Sequence, residues 1–263
     1  MARTVAANIG KQIRLRLKDL AYAAGFFFQV LKESPNFIRH RRSIGFKVLK
    51  MQILFTGVNA MTIIAVLALA LGAVLIIQGV SLLPQFGQGK LIYTILITVI
   101  TRELGPILTA FIIIARSGTA IATEIGNMVI SHEIEAYTSV SINPISYIVV
   151  PRFLGVTISM LMLNLYFNMF GLMGSYFITQ IIRPVPFLEY FRNLMSQFMA
   201  KDIASSLIKS FSFGIIISLV ATYNGFRVQR SSTEIPKYVI KSVGQGFTLC
   251  IIVNAIITLI YYI

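Results

Sequence analysis

The sequence predicts an all-α integral membrane protein, with an N-terminal interfacial helix, five transmembrane helices and a cytoplasmic helix between spans two and three. Three observations predict it. More than half of the 263 residues (56%) are hydrophobic, and the mean hydropathy is +0.80. No charged residue occurs from Met51 to Gly89 or from Phe153 to Ile182. Roughly 20 apolar residues cross the hydrocarbon core, so either run can span it. Basic residues, finally, gather ahead of the first long run: residues 1–50 hold 11 of the 23 Lys and Arg.

The first apolar stretch, LAYAAGFFFQVL at 20–31, has only twelve residues. It lies between the basic stretch from Lys11 to Lys18 and the group Lys32, Arg39, Arg41 and Arg42, with no small-residue cleavage site behind it. Basic flanks on a short apolar segment fit a helix in the interface plane. Five spans follow, at 53–80, 91–115, 153–180, 207–225 and 243–263. The segment GVSLLPQFGQGK connects the first two, and a basic segment at 224–241 precedes the last. A cytoplasmic N-terminus puts both basic segments on the cytoplasmic side, as the positive-inside rule requires. Between spans two and three, residues 116–146 carry Glu124, Glu133 and Glu135. Ile121, Ile125 and Met128 recur there at helical spacing, and Pro144 is a stop signal. The chain reads as one domain, 1–263: a basic arm and interfacial helix over 1–50, then the transmembrane region over 51–263.

Composition narrows the function. The formal charge of +14 is concentrated in the arm and suits anionic lipid headgroups rather than nucleic acid. One cysteine, Cys250, and two distant histidines, His40 and His132, give no metal-ligand spacing. GQGK at 87–90 has Pro84 and Leu91 where a phosphate-binding loop needs Gly and Ser or Thr. No catalytic motif is present, so the chain is expected not to be an enzyme and to bind no cofactor itself.

The most informative pair is Arg102–Glu103, in the middle of the run at 91–115. A charged side chain at bilayer depth costs about 2.5–3.5 kcal/mol, and intramembrane charges mark functional sites by default. Thr98, Arg102, Gly105, Thr109 and Arg116 follow steps of 4, 3, 4 and 7 and share a helix face. Glu103 lies about 100° away, so the pair is not expected to neutralise itself. Pro106 cannot bond the carbonyl of Arg102, and a kink is expected there. In span three, Asn164, Asn168, Gly171 and Ser175 fall on one face and read as a helix-packing surface.

The stretch RELGPILTAFIIIARSGTAIATEIGNMVISHEIEAYTSVSINPISYIVVPR, residues 102–152, resembles the MlaE (YrbE) permease family, the membrane subunit of MCE-associated ABC transporters. The resemblance extends to the arm with SPNFIRHRR, the five spans and Asn224-Gly225. It implies a homodimer whose cavity holds phospholipid, driven by a separate ABC ATPase that carries the ATP and Mg, and joined to a ring of MCE-domain proteins. Arg102 and Glu103 match the family's pair beside the lipid cavity, with Thr98 and Thr109 on the same helix. Glu124, Gly126, Met128, Glu133, Glu135, Asn143 and Pro144 fall in the cytoplasmic coupling helix and the segment after it, which dock on the ATPase. The family commonly has Asp where Asn143 stands, and a Gly- and Ala-rich stretch where this chain has RVQRSSTEIPKYVIKSV. A bacterial inner membrane is the first expectation for location, a plastid inner envelope the second. The rival reading is an ion or small-solute channel with Arg102 and Glu103 as its filter.

Overall fold

Where backbone polar groups meet lipid, only a helix satisfies them within one segment, and the apolar runs accordingly form long helices. The computed structural model describes residues 22, 24–35, 37, 43–82, 91–182, 184–229 and 231–263. The basic stretch from Lys11 to Lys18 and the GQGK segment lie outside the described residues.

Helix α1 (residues 24–35) continues the expected interfacial segment by one turn. Its Val30 is fully buried against Val149, Val150 and Phe153, while Tyr22 and Phe28 remain exposed. Span one, Gly45–Ser81, joins α2 (Ser43–Thr56) to α3 (Met61–Leu82) through a 3-10 turn at Val58–Ala60. Span two, Leu91–Ile130, is a single rod of α4 (Leu91–Leu96), α5 (Gly105–Ile113) and α6 (Thr119–Ile130), interrupted by π-helical segments at Ile97–Leu104 and Ile114–Gly118. After the short α7 (Glu133–Ser139), span three is Ile145–Ile182, mostly α8 (Val150–Ile182). A separate helix, α9 (Phe187–Gln197), precedes span four, α10 (Ala200–Phe226). Span five, Ser232–Tyr262, is mostly α11 (Ile235–Tyr262).

The five spans match the expectation in number and order but not in length. Span two runs to Ile130 rather than 115, span three begins at Ile145 rather than 153, and span four begins at Ala200 rather than 207. Each expected boundary was placed beside a charged or polar residue, and each helix runs on through it: Arg152 and Asp202 are paired with Glu124 and Arg102, while Arg116 lies over the Phe55 ring at 5.8 Å. The connection expected at 224–241 is largely helical. Pro236 occupies the first turn of α11, where its missing N–H costs nothing.

Span three is the hub, packing on spans one, two and four. Ile64, Ala68, Ile100, Ile113, Met160, Phe167 and Phe213 fill the shared core. The contact between spans one and three requires glycine. A Cβ on Gly72 would collide with the carbonyl oxygen of Gly171, and one on Gly174 would lie 2.8 Å from the Cα of Leu69. Small residues at such crossings let backbones approach. The polar stripe of span three is thus a packing face within the chain: Asn164 Nδ2 donates to Ser206 Oγ at 2.8 Å, and Ser175 Oγ bonds Tyr190 OH at 2.7 Å.

Candidate functional site

Pro106 brings no N–H to the carbonyl of Arg102, so that oxygen needs another donor. Span two accommodates the proline with the π segment that ends at Leu104, in which Gly105 N–H bonds Ile100 O, five residues back. The expected disruption at Pro106 is therefore a π segment ahead of the proline. The free carbonyl receives Lys209 Nζ from span four at 3.0 Å. The same ammonium donates to Glu103 Oε2 at 2.7 Å and to Thr258 Oγ1 at 2.8 Å, so its three protons all have acceptors.

Arg102 is buried to 7% exposure and turns toward spans four and five. Its guanidinium lies 3.5 Å from Asp202 Oδ1 and 3.6 Å from Glu103 Oε1, and donates to Tyr262 OH. The rings of Tyr261 and Tyr262 flank it at 4.5 and 4.9 Å, positions that favour a cation electrostatically. Asp202 Oδ2 accepts the N–H of Met199, capping α10, while Oδ1 accepts Tyr261 OH at 3.0 Å. Two cations thus face two anions, and the cluster is neutral. This corrects the expectation that Arg102 and Glu103 do not neutralise one another: they are in contact, and each also has a partner on span four.

The cluster binds spans two, four and five together. Removing one member of a buried pair strands the other, at about 3–5 kcal/mol. Glu103 is the most open member, its side chain 27% exposed, and Asn254 Nδ2 reaches its Oε2 at 3.5 Å. Thr98 is half-buried and Thr109 is fully buried with its hydroxyl unpaired; among the described residues no hydrogen bond joins either to the cluster. The π segment explains this, since an i→i+5 turn breaks the step-4 spacing that would have kept them on Arg102's face. Asp202, Lys209, Thr258, Tyr261 and Tyr262 were not anticipated from the sequence. The available signal was the seven-residue step from Asp202 to Lys209. It returns to the same helix face after two turns, within an apolar segment.

A second centre lies about 33 Å along span two, taking 1.5 Å per residue from Arg102 to Glu124. Glu124 Oε1 accepts Arg152 Nη2 at 2.7 Å, and Arg152 Nη1 donates to Ile148 O at 3.0 Å, joining span two to span three. The segment expected as one helix on the membrane face divides in two. Its first part, α6, belongs to span two and packs on spans four and five, with Gly126 against Val228 and Ile235 and Met128 half-buried. Its second part, α7, is exposed and follows His132, which adopts the left-handed conformation (φ 59°). Here Glu133 accepts from Ser131 Oγ, and Glu135 faces His132 Nδ1 at 2.9 Å. Asn143 Oδ1 accepts the N–H of Ile145 at 3.0 Å and so caps the start of span three, a task Asp performs equally. Asn143 and Pro144 line a cavity of about 1110 Å³ with Phe26, Tyr223 and Phe226.

Against this geometry stand the similarities to known proteins. The sequence profile of the family described as Permease MlaE matches residues 49–260. A probable ABC transporter permease protein of Rickettsia prowazekii is 30% identical over 211 residues, covering 80% of this chain and 82% of the relative. A probable ABC transporter permease protein of Rickettsia bellii is 28% identical, covering 97% and 98%. The intermembrane phospholipid transport system permease protein MlaE of Haemophilus influenzae is 26% identical, covering 97% and 96%.

Proposed function

The chain belongs to the Permease MlaE family, and from that premise we propose that it is the membrane subunit of an ABC system moving phospholipid between a bacterial inner membrane and an MCE-protein conduit. Two copies form the working unit, and a separate ATPase subunit hydrolyses the ATP. The N-terminus, α1 and α7 face the cytoplasm, and the C-terminus faces the opposite side. The observation that carries this reading is the family match over residues 49–260, with a near full-length relative named for phospholipid transport.

The geometry supplies a route for force. Span two is one rod of 40 residues, about 60 Å at 1.5 Å per residue and longer than the bilayer is thick. Glu124, Gly126, Met128, Glu133, Glu135, Asn143 and Pro144 lie at or beside its cytoplasmic end, where the ATPase docks. Closure of the ATPases pushes this end. The Arg102–Glu103 pair rides on the same rod near its other end, beside the lipid path, with Thr98 about one turn outside the pair and Thr109 buried about two turns inside it. Between the two centres stands the π segment Ile114–Gly118, and an i→i+5 turn inside a helix is a common point of functional compliance.

Neutrality of the cluster changes the role of Arg102. Its guanidinium is directed at Asp202, Glu103 and Tyr262, so it acts as a positioning residue, while Glu103 is the member open to the path. Mutual pairing also disfavours the channel, since a filter needs charges directed at the ion.

Reconstitution tests this reading. The chain with its partner ATPase and MCE protein, placed in liposomes, is expected to transfer labelled phospholipid only when ATP is hydrolysed. Ion conductance by the chain alone, with no lipid transfer in the full assembly, would establish the channel instead.

A further inference from the structure

Helix α9 lies between spans three and four and has no part in either centre. At 100° per residue its eleven positions divide into three sectors. Tyr190 and Leu194, 3% and 2% exposed, face the bundle. Glu189, Arg192 and Ser196 fall together on the opposite side, and half-buried Asn193 flanks the inward sector. Between these sectors Phe187, Leu188, Phe191 and Met195 form an apolar edge that the chain leaves 42–77% exposed.

The inward sector is fixed. Tyr190 OH bonds Ser175 Oγ at 2.7 Å, its ring packs against Tyr93 at 5.6 Å, and Thr94 Oγ1 donates to Gln197 Oε1 at 3.1 Å. The connections to span three (183–186) and to span four (198–199) are short. At roughly 3.3–3.6 Å per residue they hold both ends of α9 close to the membrane boundary. The apolar edge also continues a lipid-facing surface. The Phe187 ring meets Tyr176 at 5.2 Å, next to Phe177 (55% exposed) and near Ile181 (78%) on span three; Met199 (62%) lies just beyond α9, after Phe198. A helix with an apolar edge, a charged edge and both ends at the boundary has the properties of an interfacial membrane anchor.

We propose that α9 is such an anchor, with Phe187, Leu188, Phe191 and Met195 inserted among lipid chains just beneath the headgroups and Glu189, Arg192 and Ser196 at headgroup level. The anchor sits at the opposite membrane face from α1. Only Phe198 and Met199 separate it from α10, whose Asp202 contacts Arg102. It therefore sets the depth of the charged cluster relative to the leaflet.

The absence of tryptophan from the sequence makes the test clean. Full-length Phe191→Trp and Leu188→Trp, each in liposomes of phosphatidylcholine brominated high on the acyl chains, are compared with Ser196→Trp. The edge variants are expected to show blue-shifted emission and about twofold or greater quenching by bromolipid, with Ser196→Trp quenched by aqueous acrylamide instead. Using two edge positions guards against one variant misfolding. Acrylamide quenching of both edge variants equal to that of Ser196→Trp would overturn the proposal. So would blue-shifted emission quenched by neither agent, which would place the edge against protein.

Discussion

Spans three and five have nearly the same mean hydropathy, 1.8 and 2.0, yet the bundle buries 72% of the most apolar window of the first and 11% of that of the second. In lipid, apolarity does not distinguish a central helix from a peripheral one, because the surrounding chains are as apolar as leucine. What differs is the residues that let a helix approach others. Span three carries Gly171, Gly174, Asn164 and Ser175, all buried. Span five carries large aliphatic residues, with Leu249, Ile251, Ile252 and Ile256 41–50% exposed. It is held mainly near its ends. Toward its N-terminal end Gln245 accepts from Asn224 at 2.8 Å and Phe247 packs edge-on against Phe111; at the other end Thr258, Tyr261 and Tyr262 meet the charged cluster. The exposed face between these ends is available to a second copy of the chain in the proposed dimer.

The largest expected effect comes from freeing the C-terminal end of span five. Lys209→Met strands Glu103 and the Arg102 carbonyl, and should cost about 3–5 kcal/mol. Thermal unfolding in lipid nanodiscs measures it. Adding Glu103→Gln should restore much of the loss; a double variant no better than the single would mean the pair is not what holds the helices.

Next is a contrast between glycines. Gly174→Leu overpacks the crossing of spans one and three and should destabilise by about 1–3 kcal/mol. Gly244→Leu should stay within about 0.5 kcal/mol, since a Cβ at Gly244 meets nothing within 4 Å. If Gly244→Leu also abolishes dimers by light scattering while the fold persists, the open face of span five is the dimer contact; unchanged dimers would place that contact elsewhere.

Arg152→Gln breaks the Arg152–Glu124 link between spans two and three. Half-exposed Glu124 can then find water, so the expected stability loss is about 1–2 kcal/mol. ATP-driven lipid transfer should fall by more than that loss explains. A proportionate decline in both would assign Arg152 to packing alone. The smallest effect is expected from Tyr262→Phe, which removes one acceptor from Arg102 and leaves the stacked ring: about 1 kcal/mol by the same melting measurement.

Much of this architecture was legible in the chain. Uncharged runs as long as Met51–Gly89 have few soluble uses, so the span count followed from length alone. Arg102 and Glu103 stood out as charges in an apolar run. Their partners did not, because Lys209 and Asp202 lie about 100 residues away, and a charge near a span end reads as the boundary itself. Thr98 and Thr109 were aligned with Arg102 on the assumption of uninterrupted α-geometry, which the π segment at Ile97–Leu104 breaks.

The sequence by itself determined that the chain is helical and crosses a membrane five times, because the hydrocarbon core imposes length, apolarity and backbone satisfaction on each segment separately. Only the tertiary structure decided which charges neutralise which and where each helix ends. It also decided that span three, not the equally apolar span five, is the hub. Those outcomes depend on side chains far apart in sequence meeting in a low-dielectric interior. There Asp202 and Arg152 meet partners on other spans, and the helices run on through them.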